Sequence, residues 1–253
     1  MAMQNIKLIL EYDGTRYRGW QSGKKDENHT LSGKISEVLR RMTEEEIILF
    51  CGEKTGAGVH ASRQVVNFKT ESRIPVEEIR KYLNRYLPLD IAVREAEVVS
   101  ERFHAELNAH RITYRYCLRI GETEDVFLRR YVDFRKKVPD VEGMKKAAER
   151  FLGVQDFYAF SAGKTKKSTV RNLTALEISD RGINRENGLR EIDILLEANG
   201  FLRQMPQRII GTLLEIGYGT RNQDCIKRIF RGEEEAAPGC VNGALFAEVE
   251  MSE

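Results

Sequence analysis

The sequence has few of the residue patterns that build metal centres or membrane spans. Its four cysteines and four histidines form no C-x-x-C pair and no H-x-x-x-H pair. We therefore expect reduced, buried thiols and no zinc or iron–sulfur site. No apolar run approaches the roughly 20 residues that span a bilayer, and the first residues lack the apolar segment of a signal peptide. These absences predict a cytoplasmic protein that uses neither a membrane nor a metal.

The chain also lacks a large excess of charge of either sign. Its 41 Lys and Arg residues nearly balance 39 Asp and Glu residues, which leaves a formal net charge of +2. Any nucleic-acid surface must therefore arise from an uneven distribution of charge. The 253 residues, of which 41% are hydrophobic, are enough for one large domain or two modest ones with their own cores.

Hydrophobic periodicity in the first hundred residues predicts alternating strands and helices. Strands are expected at 5–12, 46–51, 63–68 and 91–99. One helix follows Thr30, a suitable N-cap, and a second begins near Pro75. The order strand, helix, strand, strand, helix, strand is that of a ferredoxin-like split βαβ half.

The second half partly repeats this pattern. Strands are expected at 113–120, 170–179, 190–199 and 244–251, and a turn at 182–188. Helices are expected at 141–152 and 201–217, with Pro206 in a first turn, where proline is tolerated. The boundary between the halves is expected within 103–109, which gives domains 1–104 and 105–253. The fold class is therefore α/β, or α+β, with two similar halves.

A glycine-rich loop at 52–61, Gly-Glu-Lys-Thr-Gly-Ala-Gly-Val-His-Ala, joins two of the predicted strands. Glycine and alanine allow a tight turn and close approach of a ligand to the backbone. By itself the loop is typical of a hairpin connection, and the floor of a pocket is the alternative interpretation.

Basic and aromatic residues indicate a surface for RNA. The loop around 161–171 combines Lys and Arg with hydroxyl groups that suit phosphate oxygens, although a solvated surface loop is the simpler explanation. An exposed Tyr17 beside Trp20 is placed either to stack on bases or to plug a core edge. The candidate RNA-binding residues are Lys54, Tyr17, Trp20, Arg115, Lys164, Lys166, Lys167 and Arg171.

Several ordered segments together resemble the tRNA pseudouridine synthase A family over nearly the whole chain. The N-terminal segment EYDG-x-x-Y-x-GWQ spans 11–21, and KTGAGVHA spans 54–61. Later segments are N-x-x-LP-x-x-I at 84–91, FHA at 103–105, YRY at 114–116, F-x-G-x-x-DF-x-x-F at 151–160 and GFL-x-x-M at 200–205. The order and spacing of these segments carry the resemblance.

This resemblance implies two similar α/β halves joined through a central antiparallel sheet, with an RNA cleft. It also implies a homodimer that binds the anticodon arm of tRNA and needs no metal or cofactor. In the family, a loop aspartate attacks or deprotonates at the sugar, and an arginine on a late helix pairs with it. A tyrosine matched here by Tyr114 stacks on the target base.

The departures from the family pattern lie at the chemical positions. Gly56 stands where the family has its aspartate, and Gln207 stands where it has the paired arginine. Arg208 is one position further on, about 100° around a helix. Smaller departures are Glu106, Ser32 and Gln155, where the family favours Arg, Gln and His.

Three hypotheses follow for function. The first is a divergent paralogue that binds structured RNA, either tRNA or rRNA, without isomerising uridine. The second is an active synthase in which Glu53 or Asp13 supplies a displaced carboxylate. The third is a protein-interaction module in RNA processing or ribosome assembly. His60 is expected to support the loop structurally.

Overall fold

The computed structural model describes residues 3–21, 28–163, 168–240 and 242–251. They form two compact units, of which unit 1 is Met1–Arg111 with Phe246–Glu253 and unit 2 is Ile112–Leu245. The predicted division at 104/105 therefore differs from the observed one. The last strand pairs in parallel with a strand of unit 1 through Phe246–His60 and Ala247–Ala61, and this long-range pairing returns the chain end to the first unit.

Unit 1 has the predicted order of strands and helices. Its elements are β1 (Gln4–Tyr12), α1 (Leu31–Thr43), β2 (Phe50–Cys51), β3 (His60–Thr70), α2 (Val76–Tyr86), β4 (Ile91–Val99) and α3 (Ala105–Asn108), and β10 (Leu245–Met251) adds the returning strand. The sheet order is β4-β1-β3-β10, with β2 also on β3. Neighbours β4, β1, β3 and β2 are antiparallel, as a split βαβ half requires.

The helices of unit 1 follow from local sequence. Thr30 caps α1 by accepting a hydrogen bond from the backbone N–H of Gly33 at 3.1 Å. Ile35, Val38 and Leu39 form the buried face of α1. Pro75 is the residue immediately before α2, where its missing N–H and fixed φ cost little. The predicted positions of both helices are confirmed.

The strand predicted at 46–51 is shorter than expected, because only Phe50–Cys51 pairs with β3. Upstream, the carboxylate of Glu45 accepts hydrogen bonds from the Thr70 hydroxyl and from the N–H groups of Glu71 and Ser72. This side-chain anchor satisfies the backbone where the strand ladder would otherwise continue.

Unit 2 is also mixed α/β with a mostly antiparallel sheet. Its elements are β5 (Ala109–Ile120), β6 (Asp133–Arg135), α4 (Val141–Ala148), β7 (Gly153–Asp156), β8 (Val170–Ile183), β9 (Arg190–Ala198), α5 (Met205–Gly217) and α6 (Cys225–Phe230). The order is β5-β9-β8-β7, with every neighbour antiparallel. Strand β6 pairs in parallel with β5. The fold class predicted from the sequence is confirmed.

Helix α5 begins at Met205 rather than at residue 201. Gly200 has a φ of 150° and Gln204 a φ of 61°, so neither is helical and Gln204 becomes the N-cap. Pro206 is the second helical residue, which confirms its place in the first turn. Among the described residues, no helix has both the length and the apolar content needed to cross a bilayer.

Candidate functional site

The glycine-rich loop at 52–61 packs directly on the segment 13–20 of unit 1. The N–H of Trp20 donates to the carbonyl of Thr55 at 2.9 Å, and the N–H of Gly58 donates to the carbonyl of Tyr17 at 3.2 Å. At Gly19, whose φ is 98°, an added Cβ would lie 2.7 Å from the Thr55 oxygen. Glycine is therefore required at position 19 by both its backbone conformation and its neighbours.

A second close contact fixes the far end of the loop. An added Cβ at Gly14 would lie 2.0 Å from the carbonyl oxygen of Val59. The Gly14 N–H donates to Nδ1 of His60 at 3.0 Å, and the His60 ring stacks on Phe246 with centroids 5.0 Å apart. Because His60 is only 1% exposed, these contacts make it a residue that holds the loop in place.

Buried polar side chains support the loop from below. The hydroxyls of Tyr12 and Thr55 lie 2.8 Å apart. The Gln64 amide donates to the Tyr12 hydroxyl at 3.2 Å and to the Glu53 carbonyl at 2.7 Å. Burial raises the pKa of the Tyr12 phenol, so it stays protonated as a hydrogen-bonding group. The sequence patterns did not single out Gln64, because a lone polar residue within an apolar strand has no motif of its own.

Gly56 is exposed at the end of this rigid framework. Its φ is not in the positive range, whereas Gly58 has a φ of 74°. The backbone therefore requires glycine at 58 but accepts other residues at 56. Position 56 therefore lacks a side chain although its backbone conformation does not require glycine.

Asp13 and Glu53, the two residues considered as sources of a displaced carboxylate, are held differently. The Asp13 carboxylate accepts hydrogen bonds from the N–H and the hydroxyl of Thr15 at 2.9 and 2.5 Å, an arrangement typical of an Asx turn. Glu53 has its backbone fixed on both sides by Gln64, which accepts from its N–H at 3.3 Å and donates to its carbonyl. Both carboxylates are therefore attached to backbone that packs into the loop framework.

Lys54, a candidate RNA-binding residue, forms an ion pair with Glu106. Its Nζ lies 3.3 Å from the carboxylate, and the two side chains are 45% and 39% exposed. Glu106 is one of the departures from the family pattern, and it lies in the first turn of α3. The pairing offsets one positive charge beside Gly56.

The expectation of an exposed Tyr17 is wrong, since Tyr17 is 7% exposed and Trp20 1% exposed. The Tyr17 hydroxyl donates to Asp90 at 2.5 Å, and Asp90 also accepts from Arg16. Packing of the segment 13–20 on the loop turns both rings inward. Their burial supports the core interpretation over base stacking.

The remaining candidates belong to unit 2. Tyr114 and Arg115 are neighbours on β5, so their side chains alternate, with Tyr114 buried and Arg115 exposed. Tyr114 is 4% exposed and meets the edge of Phe201 at 5.2 Å. Arg171 donates to the carbonyls of Ser168 and Val170. Lys164, Lys166 and Lys167 lie outside the described residues.

Gln207 and Arg208 point to different surroundings on α5, as the helical offset predicts. Gln207 is 7% exposed, and its Oε1 has no hydrogen-bond partner among the residues described. Arg208 lies along a cleft of unit 2. Within the described ranges, no group of three or more His, Cys, Asp or Glu side chains is placed to hold a metal.

Comparison with known proteins defines the class. A family model described as tRNA pseudouridine synthase matches residues 8–108 and 147–244. The chain is 38% identical over 240 residues to a tRNA pseudouridine synthase A 2 of Bacillus cereus, which covers 94% of this chain and 95% of that protein. The protein of the same name from Clostridium perfringens is 40% identical over 241 residues, with the same coverage.

The chain belongs to the tRNA pseudouridine synthase A family. The residues matched by the family model include parts of both units and the loop at 52–61. Among solved structures, a CRISPR associated protein Cas6 covers 100% of both chains at 12% identity and a TM-score of 0.23, which is too low to carry an argument about fold.

Proposed function

We propose that this chain is a divergent family member that binds structured RNA, in the first place tRNA, without isomerising uridine. The observation that carries the proposal is the exposed Gly56 at the position of the family's aspartate. The relatives are named tRNA pseudouridine synthases, and detaching a base from its sugar requires a group that can attack or accept a proton there. Glycine has no such group.

A displaced carboxylate is a poor substitute on geometric grounds. An error of about 1 Å in the position of a reacting group costs roughly 100-fold in rate. Asp13 is held in its turn, since its carboxylate accepts from both the N–H and the hydroxyl of Thr15 and its N–H donates to the carbonyl of Asp90. Moving it toward position 56 would break the turn that supports the loop.

The residue at 207 is consistent with the same loss. A buried arginine left without its carboxylate would cost several kcal/mol, and Gln207 is a neutral residue at a position that is 7% exposed. Loss of both members of an ion pair leaves no isolated charge behind. The pair Gly56 and Gln207 therefore describes one coherent change.

Incubation of the protein with unmodified tRNA tests the proposal directly. We expect binding whose affinity falls steeply as salt rises, because phosphate contacts release counterions, and no pseudouridine in the bound tRNA. Turnover by the wild-type chain that disappears in Glu53→Gln or Asp13→Asn would support the active-synthase hypothesis instead. Absence of any tRNA or rRNA binding would overturn the RNA-binding part.

Restoring both side chains is the sharper experiment. The ordinary φ and exposure of Gly56 mean that aspartate fits there, so we expect Gly56→Asp combined with Gln207→Arg to form pseudouridine in tRNA. The matched control is Ala57→Asp combined with Gln207→Arg, which places the same charges one residue away from the reacting position. A silent Gly56→Asp, Gln207→Arg protein that still binds tRNA would show that more than this pair was lost.

We also infer from the family that the chain forms a homodimer and acts in the cytoplasm. The protein-interaction hypothesis is separated from RNA binding by capture experiments after nuclease treatment, since a partner held through RNA is released and a direct partner is retained. Sedimentation of the purified chain measures whether the dimer forms.

A further inference from the structure

A cleft of about 540 Å³ lies within unit 2, on residues that the proposed loss of isomerisation does not involve. One wall is the short 3-10 helix Tyr158–Phe160, and another is the segment after α6 that includes Glu233, Glu234 and Glu235. Arg208 of α5 also lines it. This volume falls in the usual range for small-ligand sites, about 300–1,000 Å³.

An aromatic cluster makes two walls of the cleft rigid. Phe157 and Phe160 are fully buried and meet the ring of Phe230, the last residue of α6, at 5.5 and 5.1 Å. Tyr158 lies between the two buried rings in sequence and is 55% exposed. The same packing therefore holds the backbone on both sides of Tyr158.

Arg208 has an unsatisfied guanidinium nitrogen in the described part of the structure. Its Nε is buried without a hydrogen bond, and its side chain forms no ion pair with any residue in the described part of the chain. In the acidic segment, Glu234 is already paired with Arg221 at 3.0 Å and with Arg228 at 2.8 Å. Buried donors without partners are rare, and Arg208 also lines the cleft.

Glu235 supplies the opposite charge on the same cleft. Its side chain is exposed, and only its backbone carbonyl is used, as the acceptor of a bond from Arg221 at 2.7 Å. Arg208 and Glu235 line one cleft without forming an ion pair with each other in the described structure. A ligand that accepts hydrogen bonds at one edge and donates them at another would satisfy both.

We propose that this cleft binds a guanine base of RNA. Guanine N7 and O6 accept from an arginine fork, its N1–H and exocyclic amine suit a carboxylate acceptor, and its flat ring stacks on an exposed tyrosine. Arg208, Glu235 and Tyr158 provide these three functions. The inference rests on the proposed RNA-binding function in one respect, namely that the guanine belongs to an RNA.

Calorimetric titration of the full chain with GMP, AMP, UMP, CMP and IMP tests the proposal. We expect GMP to bind at least about tenfold more tightly than AMP, UMP or CMP. Arg208→Gln and Glu235→Gln should each weaken GMP binding by about tenfold. IMP lacks the exocyclic amine, so wild type should prefer GMP to IMP and Glu235→Gln should lose that preference.

Arg185→Gln and Glu186→Gln are the matched controls, because both residues are exposed in the turn between β8 and β9, outside the cleft. They remove the same charges and should leave GMP binding unchanged, with circular dichroism confirming the fold of every variant. Equal binding of all four nucleotides, displacement of GMP by inorganic phosphate, or no binding of GMP would overturn the proposal.

A separate measurement of tRNA binding distinguishes failure of the guanine site from failure of the proposed RNA-binding function. If tRNA binds and GMP does not, the guanine site is refuted while the proposed function stands. If GMP binds selectively and tRNA does not, the guanine site stands and the proposed function is refuted.

Discussion

Replacing Gly14 by alanine tests whether the segment 13–20 and the glycine-rich loop form one packed unit. The new Cβ would lie 2.0 Å from the carbonyl oxygen of Val59, a distance that forces the two backbones apart. The φ of Gly14 is outside the positive range, so the substitution adds a collision without adding torsional strain. Separation of the backbones would also break the buried hydrogen bond from Gly14 to His60.

The magnitude follows from those two losses. Overpacking costs about 1–3 kcal/mol, and leaving a buried donor and acceptor unpaired costs about 1–3 kcal/mol. Reduced freedom of the unfolded chain returns about 0.4–1 kcal/mol. We expect Gly14→Ala to lower the free energy of unfolding of unit 1 by about 1–5 kcal/mol.

Urea unfolding followed by tryptophan fluorescence provides the assay. Trp20 is the single tryptophan of the chain and is 1% exposed. Its backbone N–H donates to the carbonyl of Thr55 in the loop, so its emission reports on this unit. Gly56→Ala is the matched control in the same loop. Because Gly56 is exposed with an ordinary φ, that variant should stay within about 1 kcal/mol of wild type. Equal effects of the two substitutions would refute the packing described for Gly14.

Three further outcomes are expected. Burial raises the pKa values of Cys51 and Tyr12 above 9.0 and 10.0, so the unfolded chain loses these protons at a lower pH than the folded chain does. The free energy of unfolding should therefore hold below about pH 9 and fall above it. Urea midpoints measured at pH 8 and pH 10 test this. At pH 8 the Cys51 thiol should react with Ellman's reagent only after unfolding, and rapid labelling of the folded chain at this residue would contradict its burial. Glu106→Gln should release Lys54 from its ion pair and raise tRNA affinity by a fewfold at low salt while changing stability by less than about 1 kcal/mol; unchanged affinity would mean that Lys54 does not face RNA.

Local sequence patterns predicted most of the elements because the forces that form them act over a few residues. The cap at Thr30, the apolar stripe of Ile35, Val38 and Leu39, and the placement of Pro206 are decided within one or two helical turns. One boundary error has a non-local cause. Strand β2 is short because Glu45 anchors the backbone after Thr70, a contact between residues that are distant in sequence.

The candidate site was predictable in position but not in its packing. The order of the family segments pointed to the loop around Gly56 as the candidate site, and the residue there carries no carboxylate. Burial of Tyr17 was not predictable, because the same aromatic residue suits an exposed stacking surface and a core edge equally well. The partner that resolves it, Asp90, lies 73 residues away in the chain.

The sequence by itself determined the family, the order of the elements and the residues at positions 56 and 207 on which the proposed function rests, because each is a property of residue identity and spacing. Only the tertiary structure decided which glycines the backbone requires. Gly14 and Gly19 are confined by a loop some 40 residues away, whereas Gly56 is confined by nothing in its own torsion angles. The physical reason is that steric collision and burial depend on distances between remote segments, and those distances exist only once the chain has folded.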